Sequence, residues 1–187
     1  MSKDELESRQ RLCRLFAERS FREGDFVLAS GKHSRFYVDC RTTTMQAEGQ
    51  ALVGAVGLDT LLAADLTPDL VGGLTMGADP ISYAIAGESW RRGRPVNAFS
   101  VRKQAKQHGR GRRIEGCFEP GQTVVVIEDV ITSGGSALEA CAAVREAGAE
   151  ILAVLAAIDR QEGGRERIES EGLTVHSLFT IEDLRAC

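Results

Sequence analysis

Two adjacent carboxylates, Glu128 and Asp129, follow the aliphatic run TVVVI at 123–127 and precede Val130, Ile131, Thr132, Ser133, Gly134, Gly135 and Ser136. A turn of small residues that opens a helix offers backbone N–H groups, hydroxyls and a positive helix end, which suits a phosphate. Carboxylates placed just before it can accept hydrogen bonds from sugar hydroxyls, so the pair and the turn together suit a sugar phosphate. The TSGGS turn taken alone is also explained by an N-capping Ser or Thr, and it is the acid pair in front that favours a ligand. A Walker A loop needs a lysine that this turn lacks, and the G-x-G-x-x-G dinucleotide spacing is absent.

A second chemical signal is a run of positive charge. From Val101 to Ile114 the chain reads VRKQAKQHGRGRRI, with six Lys or Arg and no acid. The 187 residues together carry −4, so these six charges leave −10 on the remainder. The overall acidic excess excludes a generally basic nucleic-acid coat. For the segment itself, a solvated basic turn and an RNA-backbone contact are the competing readings. It contains no aromatic residue for stacking bases, and it follows a strand pattern close to the phosphate turn.

These residues need a frame. Short Val, Ile and Leu runs at Leu70 to Leu74, Val96 to Val101, Thr123 to Ile127, Ile151 to Ile158 and Thr174 to Phe179 read as buried parallel strands. Helical patterns fall between them at Pro80 to Arg91, Ser136 to Ala147 and Gly163 to Glu171. The alternation predicts an α/β fold, a parallel sheet core flanked by helices, over residues 66–187. Ahead of it, Asp4 to Glu18 predicts an amphipathic helix, and Phe26 to Ala29 with Arg35 to Asp39 a hairpin turning at Gly31. Residues 1–42 are too few for a separate domain and read as a small hood on one domain spanning 1–187. A further helix is expected from Gln46 to Ala64.

No apolar run reaches the roughly 20 residues of a membrane span, and the start lacks a signal peptide's apolar stretch, so a cytoplasmic protein without a membrane partner is expected. The five cysteines are odd in number and form no C-x-x-C pair, which predicts reduced thiols used for packing.

The stretch VVVIEDVITSGGS, Val124 to Ser136, resembles the signature of the type I phosphoribosyltransferases, which bind 5-phosphoribosyl 1-diphosphate (PRPP). Three further segments make it most similar to the orotate-specific members: RKQAKQHG at Arg102 to Gly109, LASGKHSRFYVD at Leu28 to Asp39, and IDRQEGG at Ile158 to Gly164. The resemblance runs in order along nearly the whole chain. It implies the family's fold with a small N-terminal helix-plus-hairpin hood, and transfer of phosphoribosyl from PRPP to orotate in pyrimidine biosynthesis, with Mg2+ bound alongside PRPP. It also implies a homodimer in which the basic loop reaches the neighbouring subunit, and no nucleic-acid partner.

Carried over by matching position, Arg102, Lys103, Lys106 and His108 hold the diphosphate, and the Glu128 to Ser136 motif holds the ribose phosphate, Asp129 counting among the catalytic residues. Thr132, Arg160 and Tyr37 contact orotate, while Phe36 either covers the base or packs the hood. Two positions depart from the enterobacterial pattern, Ala29 and Gly77 standing where that form has lysines. The second departure implies that backbone N–H groups from Thr75 to Ala78 hold the diphosphate. The alternatives are transfer to another nucleobase, and an RNA-binding regulator built on the same fold.

Overall fold

The computed structural model describes residues 2–27, 33–103 and 113–187. Helix α1 (Lys3–Leu15) starts where Ser2 and Glu5 cap each other: Ser2 Oγ accepts from the Glu5 N–H, and Glu5 Oε2 from the Ser2 N–H. Its apolar stripe buries Leu12 and Leu15, and a π-helical turn (Phe16–Ser20) carries the buried Phe16 onward. The antiparallel hairpin β1 (Phe21–Val27) and β2 (His33–Val38) follows, with a register shift between Glu23 and Phe26. Its first strand starts five residues earlier than the expected Phe26, because the shift lets a polar, exposed stretch pair with β2. The expected turn at Gly31, with Ala29, lies outside the described residues.

After a short helix α2 (Arg41–Thr44) and the long α3 (Ala47–Ala63), the core alternates strand and helix. In order these are β3 (Leu70–Leu74), α4 (Ala78–Arg91), β4 (Asn97–Val101), β5 (Ile114–Gly116), β6 (Thr123–Ile131), α5 (Gly135–Glu146), β7 (Glu150–Asp159), α6 (Gly164–Glu169), β8 (Val175–Thr180) and α7 (Ile181–Ala186). The sheet order is β5-β4-β3-β6-β7-β8, parallel except for the antiparallel edge strand β5. The expected mostly parallel α/β sheet is therefore present. Its unbroken apolar runs follow from burial on both faces. Val125, Ile127, Ala153 and Leu155 pack with Leu12, Phe16, Phe36 and Val38 of the hood and with α3 and α4. Val124, Val126, Val154 and Ala156 pack on the other face with α5 and α6. The hood thus shares the main core.

Two features differ from expectation. Strand β6 continues past Ile127 through the acid pair to Ile131, because Glu128, Val130 and Ile131 keep their ladder partners Ala156, Ile158 and Asp159 on β7. Cys13 and Cys187 form a disulfide across 174 residues, correcting the expectation of five reduced thiols. Local spacing carries no trace of it: helices α1 and α7 pack together and bring the two Cα atoms to 6.2 Å, within disulfide reach. Cys40 and Cys141 remain buried thiols, and burial pushes the Cys141 thiol up to about 11.

Closing so long a loop should stabilise the fold by about 2–4 kcal/mol. Thermal melts of the oxidised protein should fall by several degrees (roughly 2–4 °C per kcal/mol for a chain of this size) on addition of a dithiol. The Cys187→Ser variant should already sit at the lower value and ignore the reductant. Equal melts of wild type with and without reductant would show that the bond does not hold the termini.

Candidate active site

A cleft of about 230 Å³ opens at the carboxyl end of the sheet, where α/β folds bind ligands. Its floor is the end of β6. Glu128 is buried, and its Oε2 has no hydrogen-bond partner among the described residues. Burial first, and the neighbouring Asp129 second, push its carboxyl well above the usual carboxylate range. A buried acceptor left without a donor is rare in folded proteins and marks this end of β6 as a functional candidate. Asp129 accepts the Val130 N–H at 2.9 Å through Oδ1, and its backbone carbonyl accepts from the Cys40 thiol at 3.5 Å. Burial, with the charges of Asp129, Asp39 and Glu128, raises the Cys40 thiol so that it stays a donor.

One wall is the turn between β3 and α4, which contains a cis peptide between Thr75 and Met76. Gly77 is pressed against Asp129: a Cβ there would lie 2.5 Å from Asp129 Cγ. No side chain fits without moving the carboxylate, which accounts for glycine in place of a lysine. The turn is braced by Asp79, whose carboxylate accepts from the hydroxyls of Thr75 and, at 2.7 Å, Ser100; Tyr83 in turn bonds Ser100 at 2.8 Å. The expectation for the backbone donors changes in one place. The Thr75 N–H is taken by the Val101 carbonyl at 2.9 Å, so the N–H groups without a protein acceptor among the described residues begin at Met76.

The phosphate turn lies beside this wall. Gly134 adopts φ +74°, and a Cβ on it would come within 2.7 Å of the Gly164 carbonyl, so only glycine makes this entry to α5. No side chain among the described residues caps the helix start, which leaves its first N–H groups for an anion. Ser136 lines the cleft, and Arg167 pins the turn through the Ser133 carbonyl at 3.0 Å. Val130 and Ile131 serve as scaffold: Val130 packs against the core, Ile131 is buried, and the Ile131 carbonyl accepts the Arg160 N–H at 3.0 Å.

The other expected residues separate. Lys103 and Tyr37 line the cleft, whereas Arg102 is bound by Glu115 at 2.9 Å, and its N–H closes onto the Arg113 carbonyl at 2.8 Å. Lys106 and His108, with Gly109 and Gly111, lie outside the described residues. Arg160 sits under the hairpin, buried, with its guanidinium 4.4 Å above the Phe36 ring. Phe36 is buried, so it packs the hood and braces Arg160. The sequence reading missed Asp39 and Arg41, which also line the cleft and form a double hydrogen bond at 2.9 Å that lowers the Asp39 carboxyl. Their one signal was an Asp and an Arg directly after β2.

A larger groove of about 660 Å³, lined among others by Arg9, Asp59, Arg92 and His176, contains none of the expected residues that are described. His176 lies near the start of β8, at the opposite end of the parallel strands, so the groove stands apart from this chemistry.

Residues 63–179 match the phosphoribosyl transferase domain family. The orotate phosphoribosyltransferase of Aquifex aeolicus is 48% identical over 179 residues, covering 94% of this chain and 97% of that one. The chain belongs to the orotate phosphoribosyltransferase family. The Rhodopirellula baltica member is 44% identical, with 92% of this chain and 91% of that one covered. The Mycobacterium tuberculosis orotate phosphoribosyltransferase, crystallised with PRPP, superposes with a TM-score of 0.77 at 38% identity, covering 95% of this chain and 92% of that one. Against the adenine phosphoribosyltransferase of Leishmania tarentolae, at 16% identity and a TM-score of 0.66, the likeness is one of fold alone. In this chain Glu128 and Asp129 of β6, Ser136 of the phosphate turn and the turn from Thr75 to Gly77 line one cleft.

Because the Glu128 carboxyl is raised in the folded state, its proton-linked stability is fully present below the ordinary carboxylate range and is lost as pH rises through the raised value. The Glu128→Gln variant cannot ionise. Its melting temperature should therefore exceed that of the ligand-free wild type by a margin that widens from about pH 4 upward. A margin independent of pH would contradict a buried, raised carboxyl.

Proposed function

We propose that the protein transfers the phosphoribosyl group of PRPP to a ring nitrogen of orotate, giving orotidine 5′-monophosphate and pyrophosphate. The observation that carries this reading is the buried Glu128 beside Asp129, its Oε2 unpartnered among the described residues, in the lining of the same cleft as Ser136 at the start of α5. In the reaction the bond from the anomeric carbon to the diphosphate breaks while the ring nitrogen attacks, so positive charge grows on the ribose and negative charge on the leaving group. Glu128 and Asp129 hydrogen-bond the ribose hydroxyls and hold the sugar where the cation develops. The TSGGS turn fixes the 5′-phosphate, and the N–H groups from Met76 hold the diphosphate. Lys103, Lys106 and His108, together with Arg102 once it leaves Glu115, neutralise the leaving group and exclude water. Arg160, Thr132 and Tyr37 hold orotate, the guanidinium meeting an anionic or carbonyl edge.

Mg2+ fits this donor set, because it binds through one or two carboxylates plus substrate phosphate oxygens. Bound with PRPP, it supplies further neutralisation of the diphosphate. We further read the hood and core as one catalytic unit working in the cytoplasm; no described helix is long and apolar enough to cross a membrane. We read the unit as one half of a homodimer whose basic segment serves the neighbouring site. Exposed Met76 and Tyr83, beside the diphosphate turn, support a contact surface there.

Purified protein supplied with PRPP, Mg2+ and orotate should consume orotate absorbance, with uracil, adenine and hypoxanthine left unchanged. Turnover of a purine without turnover of orotate would move the protein to another branch of the fold. The Lys106→Ala variant should keep the circular-dichroism spectrum and lose turnover by roughly two orders of magnitude or more, the scale of a lost charge contact to a leaving group. Near-normal turnover would remove the basic segment from the mechanism.

A further inference from the structure

Arg160 is a nearly buried cation at the end of a core strand, and the chain goes to some length to hold it. The guanidinium lies 4.4 Å over the Phe36 ring, and Nη2 donates to Ser34 Oγ at 3.0 Å. Glu162 Oε1 accepts from both Nη2, at 2.8 Å, and Nε, at 3.2 Å. Among the described residues nothing accepts from Nη1.

Glu162 reaches back over only two residues because Gln161 between them adopts φ +57°, a left-handed conformation that is unfavourable for a non-glycine side chain. The conformation is imposed from outside. The Gln161 N–H donates to Asp159 Oδ1 at 2.8 Å, and Asp159, itself buried, accepts Arg165 Nε at 2.7 Å through its other oxygen. Arg165 in turn bonds the Val175 carbonyl at 2.6 Å and Ser177 Oγ at 3.0 Å on β8. A left-handed non-glycine residue held by a chain of hydrogen bonds marks a place where position matters. An ordinary surface ion pair is worth little and needs no such turn.

We infer that Glu162 is a positioning residue for orotate specificity. Its carboxylate occupies the Nε and Nη2 side of Arg160, so that the guanidinium presents Nη1 to the base, while Phe36 and Ser34 fix the plane. This rests on the proposed contact between Arg160 and orotate. The carboxylate serves through its acceptor oxygen, so a glutamine at 162 keeps the role and an alanine loses it.

The test is steady-state kinetics with orotate and PRPP varied separately. Glu162→Ala should raise the orotate KM roughly tenfold, the equivalent of one charge-assisted hydrogen bond, with kcat and the PRPP KM within about twofold of wild type. Glu162→Gln should return the orotate KM to within about threefold of wild type. In an Arg160→Ala background, adding Glu162→Ala should change nothing further. An unchanged orotate KM in Arg160→Ala would sink both the base-binding reading and this inference. A raised KM in Arg160→Ala with wild-type kinetics in Glu162→Ala would sink the inference alone. A change in kcat or in the PRPP KM as large as that in the orotate KM would assign Glu162 a general structural role and overturn it as well.

Discussion

The carboxylate of Asp129 lies directly against the backbone of Gly77, and the carboxyl end of the sheet is arranged around that contact. It joins two adjacent strands, β3 and β6, through the turn that follows one and the acid pair in the last part of the ladder of the other. Because position 77 has no side chain, the acid pair and the backbone N–H groups of the neighbouring turn share one small cleft. The braces around it serve this proximity: Asp79 holds the turn from the α4 side, and the Cys40 thiol holds the Asp129 carbonyl from the hood.

Burial sets the chemistry of this arrangement. Extending β6 by four residues beyond its aliphatic run draws Glu128 into the sheet, where it loses water and its Oε2 gains no donor among the described residues. Such a carboxyl is costly to the folded protein alone, and the cost is offset when ligand hydroxyls or a cation arrive. The distribution of charge points the same way. A −10 body holding a +6 segment is poorly described by its net value, because what matters is where a polyanionic ligand meets cations.

The two sides of the cleft are held by different means. On the phosphate side, backbone geometry does most of the work, through glycines at 77 and 134 and a bare helix start. Around Arg160, which we propose for the base, side chains do it, through an aromatic ring, a serine and a carboxylate. The division suits the ligands, since phosphates accept from many directions, whereas a planar base must be met at a defined edge.

Five of the six core strands, the helices between them and the thirteen-residue signature were legible in the sequence, because burial on both faces leaves unbroken aliphatic runs and a phosphate turn needs small residues at close spacing; the short edge strand β5 has no such run. The acid pair could be read as ligand-facing from its neighbours alone. Tertiary structure decided what depends on distant partners. Whether β6 ended before or after Glu128 was settled by β7 beside it, and the separation of Lys103 from Arg102 by Glu115 across the edge strands. The Cys13–Cys187 bond, the closeness of Gly77 to Asp129 and the reach of Glu162 back to Arg160 likewise follow from packing. Local patterns report which face of an element is buried; only the assembled sheet reports what that face meets.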